Sequence, residues 1–350
     1  MLWYAFWIAF IASGIAAKPI LSLLIRWKSR QSVSAHAPEG HQKKQGTPTM
    51  GGLILVVGFV AAMAVFLLSS PGLLLVPEAW RVPTPTGSEA TGELSAILIL
   101  FAGFAIIGFV DDFVVPRVFS GKRGLGWKQK ILLQIVVSAV AAGVVHNAAL
   151  TWPFGVTVFL ILFFSNAYNF ADGLDGLAGL LLLAMVPGII GVSRQDPFIV
   201  VVGAALAGCV IPFLWLNAPP AKVFMGDVGS LPVGAVLGML AARVVHMDAQ
   251  PVGGWVDSQA LTTLYVAPPF TILSAALLLW SGVMIAELVP VPLQIFWVKV
   301  FKRRLFPFTP IHHAFEKAGV PETRVVFAFA LVQLLLSAGA ITVVEWSVRR

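Results

Sequence analysis

The sequence predicts an all-α polytopic membrane protein. About ten transmembrane helices carry active-site loops on the cytoplasmic side, and the ninth helix is broken. Three observations predict this. Of 350 residues, 58% are hydrophobic and only 11% charged, whereas a soluble domain carries about 25% charged residues. Apolar runs of spanning length recur along the whole chain. The basic residues sit in alternate loops. No composition shift divides the chain, so residues 1–350 read as one integral membrane domain.

In order, the spans are Leu2–Ile25, Met50–Ser69, Leu94–Val110, Ile131–Val145, Phe154–Phe170, Leu174–Val192, Phe198–Leu216, Ser230–Val245, Leu261–Leu288 and Val325–Val344. The apolar start lacks a preceding basic stretch, which favours a retained first span over a cleaved signal. The ninth run contains Pro268, Pro269, Gly282 and Glu287. A split helix is expected there, with Val291–Val300 as its continuation. The lone cysteine, Cys209, lies inside an apolar run, which excludes an intrachain disulfide.

Odd-numbered loops hold 17 of the 23 Lys and Arg residues, including Arg26, Lys43, Lys44, Arg117, Lys130, Lys222 and Lys302; the even loops hold Arg81, Arg194 and little else. The positive-inside rule then puts the odd loops in the cytoplasm and both termini outside. Five carboxylates fall on the same side: Asp111 and Asp112 end span three, Asp172 and Asp175 join spans five and six, and Asp227 precedes span eight. A charge at the centre of a membrane helix costs roughly 2.5–3.5 kcal/mol; placing these acids at span ends lowers that cost and gives them access to the cytoplasm.

The richest stretch is Asn166 to Gly179, where Asn166 and Asn169 precede Asp172 and Asp175 at three-residue spacing. If helical, that spacing puts the two aspartates on one face. A broken-helix hinge is the plainer reading. Adjacent Asp111 and Asp112 point about 100° apart on an α-helix, so the two cannot serve one partner equally. Asp227, between Gly226 and Val228-Gly229, would read alone as a turn. The entry to span two, with Lys43, Lys44, Thr47, Thr49, Gly51 and Gly52, combines point charges with backbone donors, a chemistry suited to phosphate. It is not a Walker motif. His312 and His313 in the most basic loop suit a phosphate or a base edge, and too few N or S ligands lie nearby for zinc. Clustered carboxylates with lysines and histidines recruit a hard cation together with substrate phosphates. The residues themselves therefore point to a membrane enzyme acting on a phosphorylated cytosolic substrate and a lipid.

Six separated stretches resemble the polyprenyl-phosphate N-acetylhexosamine-1-phosphate transferases. They are Lys43 to Gly52, Gly108 to Phe113, Arg123-Gly124-Leu125 with Lys128-Gln129-Lys130, Asn166 to Gly179, Phe224 to Ser230, and Pro310 to Glu316. Gly46 to Gly52 and the Pro-Ile-His-His run are similar to the muramoyl branch. The chain departs from the family pattern twice. Ala314 stands where a third histidine is usual, and Val115 where a lysine follows the second aspartate, leaving Arg117, Lys122 or Arg123 for that contact.

The resemblance implies transfer of phospho-MurNAc-pentapeptide from UDP-MurNAc-pentapeptide to undecaprenyl phosphate in the bacterial inner membrane. It implies Mg2+ held by Asp227, with Asp111 and Asp112 binding or deprotonating the lipid phosphate. Asn166, Asn169, Asp172, Asp175 and Phe224 would shape the uridine side. Lys43, Lys44, Thr49, His312 and His313 would hold phosphates or sugar. Partners are these two substrates and the bilayer, with a homodimer admissible and no nucleic acid. A sister UDP-GlcNAc transferase and a cation-coupled transporter remain as alternatives. Transport sites lie near the bilayer midplane, and these acids lie at span ends.

Overall fold

The computed structural model describes residues 2–27, 46–68, 88–119, 121–122, 124–248 and 271–348. All its regular elements are helices: α1 (Leu2–Arg26), α2 (Gly52–Leu68), α3 (Ser88–Phe109), α4 (Trp127–Val145), α5 (Trp152–Ala171), α6 (Leu177–Val192), α7 (Pro197–Asn217), α8 (Asp227–Asp248), α9 (Ile272–Trp280), α10 (Gly282–Leu288), α11 (Pro290–Phe301), α12 (Ile311–Lys317) and α13 (Glu322–Val348). Among the described residues, eight helical stretches are long and apolar enough to cross a membrane, and α2 and α6 are shorter apolar helices. The chain is a polytopic helical membrane protein.

Helix α8 is the centre. Nearly every residue from Val228 to Val244 is buried, and its main packing partners are α5 and α3. Lipid tails are as apolar as leucine, so close backbone approach has to substitute for a hydrophobic drive. Gly234 and Gly238, one turn apart, supply it. A Cβ on either would lie 2.4 Å from the Phe164 or Leu160 carbonyl oxygen of α5. The rim helices present apolar side chains outward, such as Ile15, Leu132, Phe159 and Leu335, as lipid contact requires. Some buried polar groups are satisfied across helices: Trp280 Nε1 donates to the Met185 carbonyl at 2.8 Å, and Ser13 Oγ to that of Ile54 at 3.0 Å.

Two expectations change. Span three does not end at the aspartates. The Val115 amide bonds to the Val110 carbonyl, so Val110–Val114 form a π-helical turn, and Val115–Val118 continue as an α turn. The ninth span is broken as expected, but at Ser281, between α9 and α10. From α10 into α11 the chain stays helical through Val289 (φ −62°, ψ −39°), and Pro290, lacking an amide hydrogen, opens α11. Pro268 and Pro269 lie outside the described residues.

The two ends of α8 differ in chemistry. Asp227 is its first residue. At the other end, Arg243 Nε donates to Asp196 Oδ1 at 3.0 Å and its Nη1 to Glu93, beside a cavity of about 250 Å³ lined mainly by apolar residues. Sixteen residues of α-helix separate these ends by roughly 24 Å at about 1.5 Å per residue.

Candidate active site

Asp111, Asp112 and Asp227 come together. One carboxylate oxygen from each lies within 4.8 Å of the other two, and no other set of three metal-ligating side chains is this close among the described residues. The convergence rests on the π turn. On a regular α-helix adjacent side chains diverge, but a wider turn re-aims them, as π-bulges at functional sites do. Asp111 reaches toward α4, accepting from the Leu125 amide and, at 3.2 Å, from Lys130 Nζ. Asp112 reaches toward the N-terminus of α8 and accepts from the Val228 amide at 3.3 Å. That helix terminus favours an anion.

Asp227 is held from both sides. Asn169 Nδ2, in the last turn of α5, donates to its Oδ1 at 2.7 Å and to Ser230 Oγ at 2.8 Å, while the Lys130 ammonium bonds to Oδ2. Backbone lacing delivers the preceding segment. The Phe224 amide donates to the Pro48 carbonyl at 2.9 Å, and the Gly51 and Gly52 amides donate to Phe224 and Met225 carbonyls at 2.8 and 2.9 Å. The lacing sets Thr49 beside Gly226. Gly226 has φ +71°, and a Cβ there would lie 2.6 Å from Asp112 Oδ2 and 2.9 Å from Thr49 Oγ1, so only glycine serves. The Phe224 ring is half-buried.

Asp172 and Asp175 do not share a face, because α5 ends at Ala171 and the chain turns before α6. Asp172 points into the site and accepts from the Gly226 amide. Loss of water around it, and then the charges of Asp227 and Asp112, push its carboxyl well above the usual carboxylate range. Asp175 points away, accepting from the Ala221 amide at 2.9 Å, while its own amide donates to Glu322 at 2.7 Å. It ties down the turn after α7. Asn166 faces α4, where its Nδ2 donates to the buried Gln134 at 2.9 Å.

His312 is buried, with Nδ1 2.8 Å from Glu287 Oε2; His313 Nδ1 lies 2.8 Å from Glu316. Neither histidine is among the groups bonded to the acidic triad. Lys43, Lys44 and Arg123 lie outside the described residues. Of the other cations offered in place of the lysine missing at Val115, Arg117 stacks its guanidinium 3.8 Å over the Phe113 ring and donates to the Trp27 carbonyl. Lys122 lies over the Phe119 ring, 5.1 Å from its centroid.

Sequence reasoning passed over Lys130, Ser230 and Glu287 as site residues. Lys130 had a signal: it lies one turn inside α4, where a lysine is costly, yet a basic loop reads first as topology. Glu287 had the same signal inside span nine.

Three carboxylates within reach of one point, beside backbone donors and a lysine, fit a hard divalent cation with open positions for phosphate oxygens. Two sequence models match the chain, "Glycosyl transferase family 4" over residues 94–245 and "Phospho-N-acetylmuramoyl-pentapeptide-transferase signature 1" over residues 44–56. Similar curated proteins, each called phospho-N-acetylmuramoyl-pentapeptide-transferase, span nearly the full length. The protein of Bacillus subtilis is 30% identical, with 96% of each chain covered. That of Desulforudis audaxviator is 32% identical, with 94% of each covered, and that of Clostridioides difficile is 32% identical, with 95% of each covered. With relatives at this identity aligned end to end, the chain belongs to the phospho-N-acetylmuramoyl-pentapeptide-transferase family.

Proposed function

We propose that the protein transfers phospho-MurNAc-pentapeptide from UDP-MurNAc-pentapeptide to undecaprenyl phosphate, giving undecaprenyl-diphospho-MurNAc-pentapeptide and UMP. The observation that carries this reading is the triad Asp111, Asp112 and Asp227 at one end of a membrane bundle, in a chain aligned with this family over nearly its whole length. Residues 1–350 act as one transferase unit in this reading. The triad faces the cytoplasm, and both termini lie outside the inner membrane, in keeping with the basic odd-numbered loops.

In the reaction an oxygen of the lipid phosphate attacks the sugar-bound β-phosphorus. The bond from that phosphorus to the oxygen bridging to the α-phosphate breaks, and UMP leaves with the electron pair. Mg2+, which Asp227 would hold with Asp111 and Asp112 beside it, would supply charge neutralisation on the diphosphate. Asp112, anchored on the α8 amide, and Asp111 orient the lipid phosphate and accept its proton when it carries one. A phosphate monoester's second pKa is about 6, so at neutral pH most of it arrives deprotonated. Lys130 offsets the negative charge of Asp111 and Asp227. Asn169 and Ser230 hold Asp227 in place, and Asp172, Phe224 and Thr49 form the adjoining wall.

The position of the triad disfavours the transporter, since Asp227 opens α8 while transport sites lie near the midplane. The sister transferase is separated by substrate. Purified protein with Mg2+ and undecaprenyl phosphate is expected to release UMP from UDP-MurNAc-pentapeptide and not from UDP-GlcNAc. The reverse preference would move the chain to the sister reaction, and release from neither would end both.

A further inference from the structure

Glu287 is a carboxylate inside the broken ninth span, and the proposed transfer leaves it without a task. It has no exposed surface, and neither does His312. Such a pair is costly in a membrane protein unless it does something specific. Glu287 Oε2 lies 2.8 Å from His312 Nδ1. A carboxylate accepts at this distance, so Nδ1 carries the proton, and in the neutral ring Nε2 is left as a lone pair. Among the described residues, Nε2 has no hydrogen-bond partner. It abuts Gly173, where a Cβ would lie 2.3 Å away. The ring therefore presses against the turn between Asp172 and Asp175. A buried polar atom without a partner calls for a ligand or a functional cause.

We propose that Glu287 is a positioning residue for His312. It fixes the ring and its tautomer so that Nε2 stands at the Gly173 turn as an acceptor for an N–H or O–H donor of the nucleotide-sugar. The proposal rests on the transferase reading and refines the role expected of His312. In this tautomer Nε2 receives a donor such as a hydroxyl or an imide N–H; it does not bind an ionised phosphate oxygen. A mere staple between α10 and α12 would make no such distinction.

The test combines a spectrum with a mutant cycle on the full chain in detergent. In 15N-histidine NMR of the substrate-free protein, the signal lost in His312→Gln is expected to report a protonated Nδ1 and an unprotonated Nε2. Glu287→Gln should abolish that tautomer preference. In kinetics, Glu287→Gln and His312→Gln should each raise KM for UDP-MurNAc-pentapeptide by about 10–100-fold, the range for carboxylates that orient a functional histidine. KM for undecaprenyl phosphate should stay within about twofold. The double variant should fall within about twofold of His312→Gln, because Glu287 acts only through the ring. Additive losses, equal rises in both KM values, or a protonated Nε2 would overturn the proposal. If Glu287→Gln fails to fold, Gly173→Ala displaces the same ring from the opposite side and should give the same KM pattern; an unchanged KM would overturn the proposal too. Wild-type protein that releases no UMP would end the transferase reading, while the spectrum would still decide the tautomer.

Discussion

Lys130 of α4 donates to Asp111 of the π turn at 3.2 Å and bonds Asp227 at the start of α8 as well. One ammonium thus stands between two of the three carboxylates that face each other. Without it the triad has lost its nearest positive charge, and a divalent cation becomes more important to the fold. Lys130→Met is expected to unfold at a lower temperature than wild type in EDTA. It should also gain more than wild type from added Mg2+. Thermal unfolding in detergent with and without MgCl2 measures this, and equal Mg2+ shifts in the two proteins would argue against a cation at the triad.

Asp172 carries a pH signature. Its folded pKa lies above the unfolded value of about 3.9, so between the two values the folded chain binds more protons than the unfolded one. Stability from this group is greatest below the unfolded value and falls as pH rises through that window. Asparagine has no such dependence. In EDTA the melting temperature of Asp172→Asn, relative to wild type, should therefore rise as pH is raised above about 3.9 towards the folded value. A difference that is constant with pH, or that shrinks as pH rises, would show that Asp172 is not held up in this way.

Much of this site was legible because topology alone gathers span ends. Asp111 and Asp112 belong to one span and Asp227 to another, yet counting lysines and arginines put all three on one membrane face, and one oxygen of each lies within 4.8 Å of the others. Asn169 lies in the last turn of α5, and its bond to Asp227 was not legible: the resemblance placed it on the uridine side. The π turn was not legible, since it depends on a five-residue hydrogen-bond register with no local residue cue. Asp111 and Asp112 bond different partners, as their divergence on a helix leads one to expect, but the π turn also brings an oxygen of each within reach of one point. Asp172 and Asp175 follow the hinge reading: their three-residue spacing implies a shared face only inside a helix, and α5 ends before both. Glu287 and His312 are 25 residues apart, across a helix break, and only tertiary structure joins them.

The end of α8 remote from the triad should matter for stability and not for chemistry. Arg243 bonds Asp196 twice, at 3.0 and 3.1 Å, and Glu93 once. Arg243→Met leaves both acids without this partner, and hydrogen bonds to charged groups contribute about 1.5–3 kcal/mol. The variant is expected to lose stability of that order in detergent unfolding. Turnover per folded molecule should remain near wild type, and a large fall in kcat at an unchanged melting temperature would contradict this division.

The departure at Ala314 gives a ranking. Ala314 is half-buried on α12, whereas His312 is fully buried against Glu287 and Gly173. Ala314→His is expected to change kcat/KM less than about threefold, and His312→Ala to lower it by about 10-fold or more. Measuring both side by side tests whether the second ring, and not the absent third, carries the role; the opposite order would reverse that assignment.

The most direct measurement concerns Asp227. Wild type and Asp227→Asn, purified in parallel and matched for melting behaviour, are supplied with UDP-MurNAc-pentapeptide, undecaprenyl phosphate and Mg2+, and UMP release is followed. Asparagine keeps the size and the bond to Asn169 but removes the charge that would hold the cation. Wild type should release UMP only with Mg2+ present, and Asp227→Asn should fall by at least about 100-fold. Release by Asp227→Asn near the wild-type rate, or wild-type release undiminished by EDTA, would contradict a triad-held cation at the centre of the reaction.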